Sequence, residues 1–186
     1  MIDLKIPYRE KIAVNVGSGQ RRFESIKDTI VWWNLDCISR PPDQVPDVIC
    51  DVGKERMSFG DGTVDYVVLH HVYEHFSLGA ADDLVRECHR VLKEGGSLIV
   101  TVPNMKALAE RWLKGEIKDY IFFVNTYGAY MGEPGDLHRW GYTPASLAVA
   151  LFDAAKWLTV RDFNWREIPG ASIARDFWIA GAECIK

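Results

Sequence analysis

A short apolar strand pattern that runs into a glycine turn stands near the start of the chain. The strand is predicted over Lys11–Val16, and the turn reads Gly17-Ser18-Gly19. Further apolar runs alternate with helical patterns, which favours an open α/β sheet. The run Val64–Leu69 is almost wholly apolar, as expected for a strand that is buried on both faces. This alternation restricts the chain to a mostly parallel sheet with helices packed against it.

The same patterns place the individual strands and helices. Strands are predicted at Lys11–Val16, Ile30–Leu35, Val45–Cys50, Val64–Leu69, Ser97–Val102, Trp157–Trp165 and Phe177–Ile185. The last two of these runs indicate an antiparallel hairpin. Helices are predicted at Ala80–Lys93, with Gly95-Gly96 as its stop, at Met105–Leu113, and at Pro144–Ala155 with Thr143 as N-cap. The connection from Gly19 to Ile30 leaves room for a helix of about two turns at most.

Length and composition fit a single domain. The chain has 186 residues, of which 48% are hydrophobic and 26% charged, enough for one core. The formal net charge of −4 offers no basic face for phosphates, so no nucleic acid partner is expected. The cysteines show no C-x-x-C spacing, and no apolar run approaches the ~18 residues of a membrane span. Because Met1–Arg9 shows no signal pattern, a cytoplasmic protein without membrane contact is expected.

Acidic residues follow two further strands of the predicted sheet. Asp36 ends the second strand, and Asp51-Val52 ends the third. The glycine turn lets a ligand approach the main chain, and a carboxylate on the next strand can accept hydrogen bonds from both ribose hydroxyls. A carboxylate beside a backbone amide can recognise the edge of adenine. These residues predict a nucleoside site at the carboxyl edge of the sheet, although the glycines and Asp51 also fit a plain turn and Asp36 a solvated strand end.

The glycine turn differs from that of dinucleotide-binding proteins. A loop that binds pyrophosphate has a third glycine where this chain has Arg22. This difference argues against NAD or FAD and for a smaller nucleoside ligand without a diphosphate.

An ordered set of motifs extends from Lys11 to about Asn104. The motifs are Val14-Asn15-Val16-Gly17-Ser18-Gly19, Asn34-Leu35-Asp36, Asp51, Met57–Asp65, His71-Val72-Tyr73-Glu74-His75, Arg90–Gly96 and Val102-Pro103-Asn104, with weaker similarity at Asp136–Tyr142. Each motif alone is weak, but the ordered set is specific. It resembles the class I S-adenosylmethionine-dependent methyltransferases, in the branch of small single-domain enzymes with an H-x-x-E-H segment.

The resemblance implies a fold, a cofactor and the contacts of that cofactor. The fold would be an α/β, Rossmann-like three-layer sandwich with a seven-stranded, mostly parallel sheet whose last strand is antiparallel. The cofactor would be S-adenosylmethionine, with S-adenosylhomocysteine as its product. Gly17 and Gly19 would border the methionine part, Asp36 the ribose and Asp51 the adenine, while Leu69–His71 would lie under the sulfonium. The expected cofactor-binding residues are Asn15, Gly17, Ser18, Gly19, Asp36, Asp51, Val52, Leu69 and His70.

Two departures from the family pattern fall in or beside the glycine turn. The acidic residue usual near the start of the first motif is Asn15 here, and the usual third glycine is Arg21. The Asn15 amide can still orient the turn. Arg21 or Arg22 could meet the methionine carboxylate, or both could be solvated; neither fits as a partner of a helix start, where cations are disfavoured.

Histidines supply the candidate general bases. Methyl transfer from a sulfonium needs mainly alignment, and a hydroxyl or protonated amine acceptor also needs a base that titrates near the working pH. Histidine suits this role. The predicted bases are His138, in a loop with Asp136, and His71, which follows the fourth strand. Either histidine could instead only position other groups.

The H-x-x-E-H segment also has the spacing of a metal pair. His71 and His75 share one face if the segment is helical. The sequence places no third ligand beside them, so no metal is expected. Glu74 and His75 could equally brace the turn after the strand.

An aromatic segment between the fifth strand and the last helix is the expected lid. It covers residues 117–142, within an insertion at about 105–142 of one domain that spans 1–186. Its aromatic residues are Tyr120, Phe122, Phe123, Tyr127, Tyr130, Trp140 and Tyr142. Such rings suit a planar or sugar-like acceptor and help to exclude water, although a hydrophobic cap or a homodimer surface fits as well.

The patterns and the resemblance together predict an enzyme. It would move a methyl group from S-adenosylmethionine to a hydroxyl or amine of a small acceptor, a sugar or metabolite. Two alternatives stay open, a non-catalytic S-adenosylmethionine-binding module and a nicotinamide-dependent oxidoreductase, because a fold of this class hosts several functions.

Overall fold

A seven-stranded sheet forms the centre of the protein. The computed structural model describes residues 10–39, 42, 45–129, 132, 134–167 and 178–186. The strands are β1 Lys11–Val16, β2 Ile30–Asp36, β3 Val48–Ile49, β4 Val64–His70, β5 Leu92–Pro103, β6 Thr159–Asp162 and β7 Ile179–Ile185. The α-helices of the described residues are α1 Leu78–Val91, α2 Met105–Leu113, α3 Asp119–Tyr127 and α4 Pro144–Ala154.

The strand order confirms the predicted fold. The sheet runs β3-β2-β1-β4-β5-β7-β6, and its first five members in this order pair in parallel. β7 is antiparallel to both β5 and β6. Val16 at the end of β1 pairs with Leu35 on one side and Leu69 on the other. This register brings the glycine turn, the end of β2 and the end of β4 to one edge.

The two faces of the sheet are covered differently. α1 and α4 contact each other and pack on one face, against buried side chains such as Val14, Val67 and Leu98. Residues of opposite parity, including Ala13, Trp32 and Val68, lie on the other face with Phe23. Because side chains alternate along a strand, this division follows directly from the strand pattern.

The chain between β1 and β2 covers the second face without a helix. Residues 19–30 are all described, and they form turns and an extended stretch. The Asn34 side chain holds this stretch, since its Oδ1 accepts the Phe23 N–H at 2.8 Å and its Nδ2 donates to the Phe23 carbonyl at 3.1 Å. The buried Phe23 ring then packs edge-on against Trp32, with centroids 4.8 Å apart.

The predicted third strand is too long. It was expected over Val45–Cys50, but β3 contains only Val48–Ile49. Pro46 has no N–H to give to a ladder. The Asp47 carboxylate accepts the Asn34 N–H of β2 at 2.8 Å, in place of a backbone carbonyl. Regular pairing therefore begins only after Asp47.

The stop of the first helix is also predicted wrongly. α1 ends at Val91, and Gly95-Gly96 lie inside β5. Leu92 already has extended backbone, with φ −68° and ψ 139°, and its side chain is fully buried beside Val64, its partner in β4. Burial of Leu92 in the sheet core thus ends the helix before the glycines are reached.

The two later helix predictions are confirmed, and one helix was missed. α2 has the predicted bounds, and α4 begins after Thr143, whose hydroxyl accepts the Ser146 N–H at 3.2 Å. α3 was not predicted because its run of apolar residues shows no stripe. Predictions that concern Met1–Arg9, Tyr130 and Phe177 lie outside the described residues.

Among the described residues, every helix is too short or too polar to cross a lipid bilayer.

Candidate active site

A cavity opens at the carboxyl ends of β1 and β4, where the strand order reverses. Its volume is about 350 Å³, within the range of small-molecule pockets. The lining residues are Asn15, Gly17, Ser18, Gly19, Gln20, Arg21, Phe23, His70 and His71. The structure thus brings the glycine turn together with His70, the last residue of β4, and His71, which follows it. Other residues expected at the site lie outside this lining: Asp36, Asp51, Val52, Leu69 and His138.

The backbone of the glycine turn faces the cavity in a conformation that side chains disfavour. Gly17 has φ +64°, and a Cβ there would lie 2.5 Å from a Val72 methyl group. Ser18 donates its N–H to the Leu35 carbonyl at 2.9 Å, which joins the turn to β2. The Ser18 hydroxyl is buried and has no hydrogen-bond partner among the described residues. The turn therefore presents to a ligand its backbone at Gly17, where no side chain intervenes, and the Ser18 hydroxyl.

The side-chain amides of Asn15 and Asn34 hold the glycine turn in place. Asn15, which is buried, donates from Nδ2 to the Arg21 carbonyl at 2.8 Å and to Asn34 Oδ1 at 3.0 Å. Asn34 in turn holds the Phe23 backbone. Asn15 thus orients the turn through its amide, in the position where the family pattern has an acid.

Asp36 is tied to the glycine turn. Its carboxylate is 8% exposed and accepts the Gly19 N–H at 2.7 Å and the Ile38 N–H at 3.1 Å. Each carboxylate oxygen has a second acceptor position, so these bonds leave capacity for a ligand.

The remaining expected cofactor residues differ in what they can offer. Asp51 follows β3, where its carboxylate accepts the Gly53 N–H at 3.1 Å and lies 2.7 Å from the Lys54 ammonium. Val52 is half-buried and packs against the core. Leu69 is fully buried. Its side chain belongs to the core, so it can present only backbone to a ligand.

His70 fixes the guanidinium of Arg21 at the cavity. Its Nδ1 lies 2.6 Å from the Thr101 hydroxyl, and its Nε2 lies 3.1 Å from Arg21 Nη1. Because arginine can only donate, Nε2 accepts and Nδ1 carries the proton. Burial, helped by His71 and Arg21, lowers the pKa of His70 to about 3, so the ring is neutral. Arg22 points elsewhere and pairs with Asp47.

His71 and Glu74 form a pair beside the cavity. His71 adopts φ +56°, and its Nδ1 lies 3.1 Å from Glu74 Oε1. Glu74 is 1% exposed. Burial raises the pKa of Glu74, but the hydrogen bond and charge of His71 outweigh it, and the pKa is lowered. The Glu74 carboxylate therefore accepts from His71 Nδ1, which leaves His71 Nε2 for a ligand.

His138 reaches the other side of Glu74. Its Nδ1 lies 2.9 Å from the Asn125 carbonyl, and its ring packs edge-on against His75 with centroids 4.7 Å apart. Since a carbonyl only accepts, Nδ1 carries the proton. Burial lowers the pKa of His138. Glu74, His75 and His138 each offer one ligand atom, and these atoms lie within 4.8 Å of one another. The sequence analysis paired His71 with His75, whereas the structure brings His75 together with Glu74 and His138.

A family model and several solved structures are similar to this chain. The family described as a methyltransferase domain matches residues 39–100. An S-adenosylmethionine-dependent methyltransferase from Archaeoglobus fulgidus is 14% identical, with a TM-score of 0.60 over 97% of this chain and 89% of that one. The family match covers 62 of the 186 residues, and with the shared fold it makes the chain similar to the class I S-adenosylmethionine-dependent methyltransferases. These findings support the resemblance to class I methyltransferases that the motifs indicated, whereas the branch with an H-x-x-E-H segment stays a prediction.

Two further solved methyltransferases share the fold. The 1,6-didemethyltoxoflavin-N1-methyltransferase of Burkholderia thailandensis, solved with 1,6-didemethyltoxoflavin and S-adenosylhomocysteine, is 15% identical over 96% of this chain and 72% of that one, with a TM-score of 0.57. A methyltransferase of Haloferax volcanii, solved with the activator Trm112, is 15% identical over 97% and 84%, with a TM-score of 0.56. No curated protein sequence matches the chain. The family match and the fold support an enzyme of this type with S-adenosylmethionine as cofactor.

The aromatic segment of the chain divides into two parts. Trp112 and Phe122 stack with centroids 4.4 Å apart, which joins α2 to α3, and Phe123 packs beside them. Tyr142 instead stacks on Tyr73 at 5.1 Å and is 2% exposed, so it belongs to the core. Among the residues of 105–142 that the structure describes, none lines the cavity.

Several residues of the candidate site were not predicted from the sequence. Gln20 and Phe23 line the cavity, Thr101 orients His70, and Asn34 supports the turn. Thr101 pairs with His70 in the sheet. A polar residue at the end of the neighbouring strand could have revealed it. Phe23 carried no signal, because its place depends on a stretch without regular structure.

Proposed function

We propose that the protein transfers a methyl group from S-adenosylmethionine to a hydroxyl or amine of a small acceptor. The observation that carries this proposal is the cavity of about 350 Å³, in which a bare glycine turn, a fixed arginine and His71 face the same space. A binding turn on one side and a candidate base on the other are what an aligned methyl transfer requires.

The residues around the turn fit the proposed cofactor. At Gly17 there is no room for a Cβ, so the backbone there is accessible to a ligand, and the Ser18 hydroxyl has no partner among the described residues. Both features suit the methionine part of the cofactor. Arg21, held by His70, suits its carboxylate, since arginine pairs well with carboxylates. Asp36 would hold the ribose, and Asp51 with the Val52 amide would hold the adenine. When bound, the cofactor supplies an electrophilic methyl group on its sulfonium.

His71 is the proposed general base. The buried Glu74 carboxylate holds its Nδ1, so Nε2 is directed away from Glu74 and can take the acceptor proton. His71 lines the cavity, whereas His138 does not. Of the two bases predicted from the sequence, His71 is therefore the one that this proposal retains.

The proposed acceptor is a sugar or another small metabolite. The Burkholderia relative, solved with 1,6-didemethyltoxoflavin, acts on a small molecule. In this chain the stacked rings of α2 and α3 would form the lid over such an acceptor, and Tyr120 and Tyr127 are exposed there, at 72% and 62%. A cytoplasmic location, the absence of a nucleic acid partner and a homodimer stay predictions.

Calorimetry with three ligands tests the cofactor assignment. Purified full-length protein is titrated with S-adenosylmethionine, S-adenosylhomocysteine and NADH. The proposal expects binding of the first two and none of NADH; the reverse pattern would establish a nicotinamide enzyme instead.

A methyl-transfer screen then tests catalysis. Radiolabelled S-adenosylmethionine is incubated with the protein and with sugars, amines and phenols in pools. Label should appear in one pool and disappear with His71→Asn. Tight cofactor binding with no transfer to any pool would favour the non-catalytic binding module.

A further inference from the structure

Glu74, His75 and His138 form a cluster, of which the proposed methyl transfer uses only Glu74, as the partner that orients His71. Glu74 and His75 lie in the short turn after β4, and His138 comes from the segment before α4. One ligand atom from each residue lies within 4.8 Å of the others. Ligands of a tetrahedral zinc ion, at about 2.0–2.2 Å from the metal, are roughly 3.3–3.6 Å apart. Small rotations of the side chains would therefore close the cluster around an ion.

Two buried atoms of the cluster have no partner among the described residues. They are Glu74 Oε2 and His75 Nδ1. Glu74 is 1% exposed, so an orphaned carboxylate oxygen there is costly unless a cation or a donor reaches it. Both atoms are good metal ligands, one anionic and one neutral.

The surroundings orient the ligand groups as they do in metal sites. His138 donates from Nδ1 to the Asn125 carbonyl, which leaves Nε2 with a free lone pair. Glu74 Oε1 is held by His71, which leaves Oε2 directed to the other side. In metal sites, ligating histidines commonly donate their second N–H to a carbonyl or carboxylate.

The backbone holds the two segments of the cluster together. The Arg139 and Trp140 amides both donate to the Glu74 carbonyl, at 2.8 and 3.2 Å. The His138 amide donates to the Tyr127 carbonyl at 3.0 Å. The His138 ring is therefore presented to the turn after β4 by main-chain bonds, independently of any ion.

We propose that Glu74, His75 and His138 bind a divalent first-row transition metal ion, with Zn²⁺ as the reference ion. Two imidazoles and one carboxylate form a ligand set that suits Zn²⁺ and its neighbours better than Mg²⁺ or Ca²⁺, which prefer all-oxygen sites. Three protein ligands leave a fourth position open. Through Glu74 the ion is joined to His71 and so to the wall of the cavity.

Metal binding is measured on the full-length, tag-free protein without any cofactor or acceptor. The protein is stripped with a chelator, desalted and titrated with Zn²⁺ alone. We expect one tight equivalent per chain and a rise in melting temperature on binding. With Co²⁺ alone we expect visible bands of nitrogen and oxygen ligation and no thiolate charge-transfer band.

Variants identify the ligands. His138→Asn and His75→Asn should each weaken Zn²⁺ binding by more than the roughly 10- to 100-fold that loss of an orienting partner causes. Glu74→Gln should do the same, and if it fails to fold, the two histidine variants decide. His89→Asn is the matched control, because His89 lies on α1 with its Nε2 on the Lys156 carbonyl. It should bind Zn²⁺ as the unaltered protein does.

Three results would overturn the site: no tight Zn²⁺ equivalent in the unaltered protein, equal affinity in folded His138→Asn, or a cobalt spectrum with thiolate bands. The measurement needs no methyl donor. It therefore stands or fails separately from the proposed transferase activity.

Discussion

Asp36 shows how one carboxylate can serve both the fold and a ligand. It accepts two backbone amides, one of them from Gly19 in the turn that borders the cavity. Its position at the end of β2 was predictable, because an apolar run ends there. Its bond to Gly19 was not, since it depends on the register between β1 and β2.

Replacing Asp36 by alanine should weaken S-adenosylmethionine binding by about 10-fold or more. The variant loses hydrogen bonds to a charged acceptor, worth roughly 1.5–3 kcal/mol each, and releases the Gly19 amide. Calorimetry gives the affinity, and Asp153→Ala on α4 serves as control. Equal affinities for Asp36→Ala and the control would remove Asp36 from the cofactor site.

His71 is suited to a substitution that spares the backbone. Asparagine tolerates the positive φ of this position better than most residues. His71→Asn should lower kcat by about 10²- to 10⁴-fold, the usual contribution of a general base, and change cofactor affinity little. Steady-state kinetics and calorimetry separate the two effects. A kcat close to that of the unaltered enzyme would exclude His71 as the base.

At the scale of elements, Arg90 fastens the loop before β4 to α1. Its guanidinium, 18% exposed, donates to the Glu87 carboxylate at 2.6 Å and to the Phe59 and Met57 carbonyls at 2.9 and 3.2 Å. Glu87 also accepts the Met57 N–H at 2.8 Å. One side chain therefore satisfies several loop groups at once.

Arg90→Ala should lower the free energy of unfolding by about 2–3 kcal/mol, because buried carbonyls and a carboxylate lose a charged donor. Arg86→Ala on the same helix is the control. Arg86 is 56% exposed and pairs with Asp82 and the exposed Asp83, so a loss of about 0.5 kcal/mol or less is expected. Urea denaturation measures both. Similar losses in the two variants would contradict this role of Arg90.

Helices whose apolar residues recur with a clear helical period were predictable from the sequence, whereas elements whose bounds depend on tertiary contacts were not. α2 and α4 show apolar spacing and caps that act locally. α3 is apolar on most sides and needed the contact of Phe122 with Trp112 to be recognised. β3 is shortened by the Asp47 carboxylate, a contact between strands. The resemblance carried by the motifs implied a seven-stranded, mostly parallel sheet, which the structure has. The contact of His138 with Glu74 was not predictable, because it joins distant parts of the chain.

At the scale of the whole molecule, the fold and the site share one buried side chain. Phe23 covers the second face of the sheet and also lines the cavity. No helix lies between Gly19 and Ile30, so this face depends on Phe23 and Trp32. Loss of stability and loss of binding should therefore occur together.

Phe23→Ala should cost about 3 kcal/mol of stability, as large core truncations do, and should also weaken cofactor binding. Urea unfolding and calorimetry on the same samples measure both quantities. Phe152→Ala is the control, since Phe152 on α4 is 63% exposed and should change neither. If Phe23→Ala lowers stability but leaves the affinity for the cofactor unchanged, the glycine turn keeps its conformation without Phe23.

The connection after Gly19 contains no helix, and this determines which group of the cavity can attract an anionic ligand. In related architectures a helix start supplies partial positive charge through its peptide dipoles. Here that contribution is missing, and the Arg21 guanidinium, steadied by a neutral imidazole, is the formal cation that lines the cavity among the described residues. Selectivity for acidic over neutral ligands thus depends on the single side chain of Arg21. Dissolved salt will weaken the attraction of this guanidinium for an anion more than it would weaken that of a buried helix dipole.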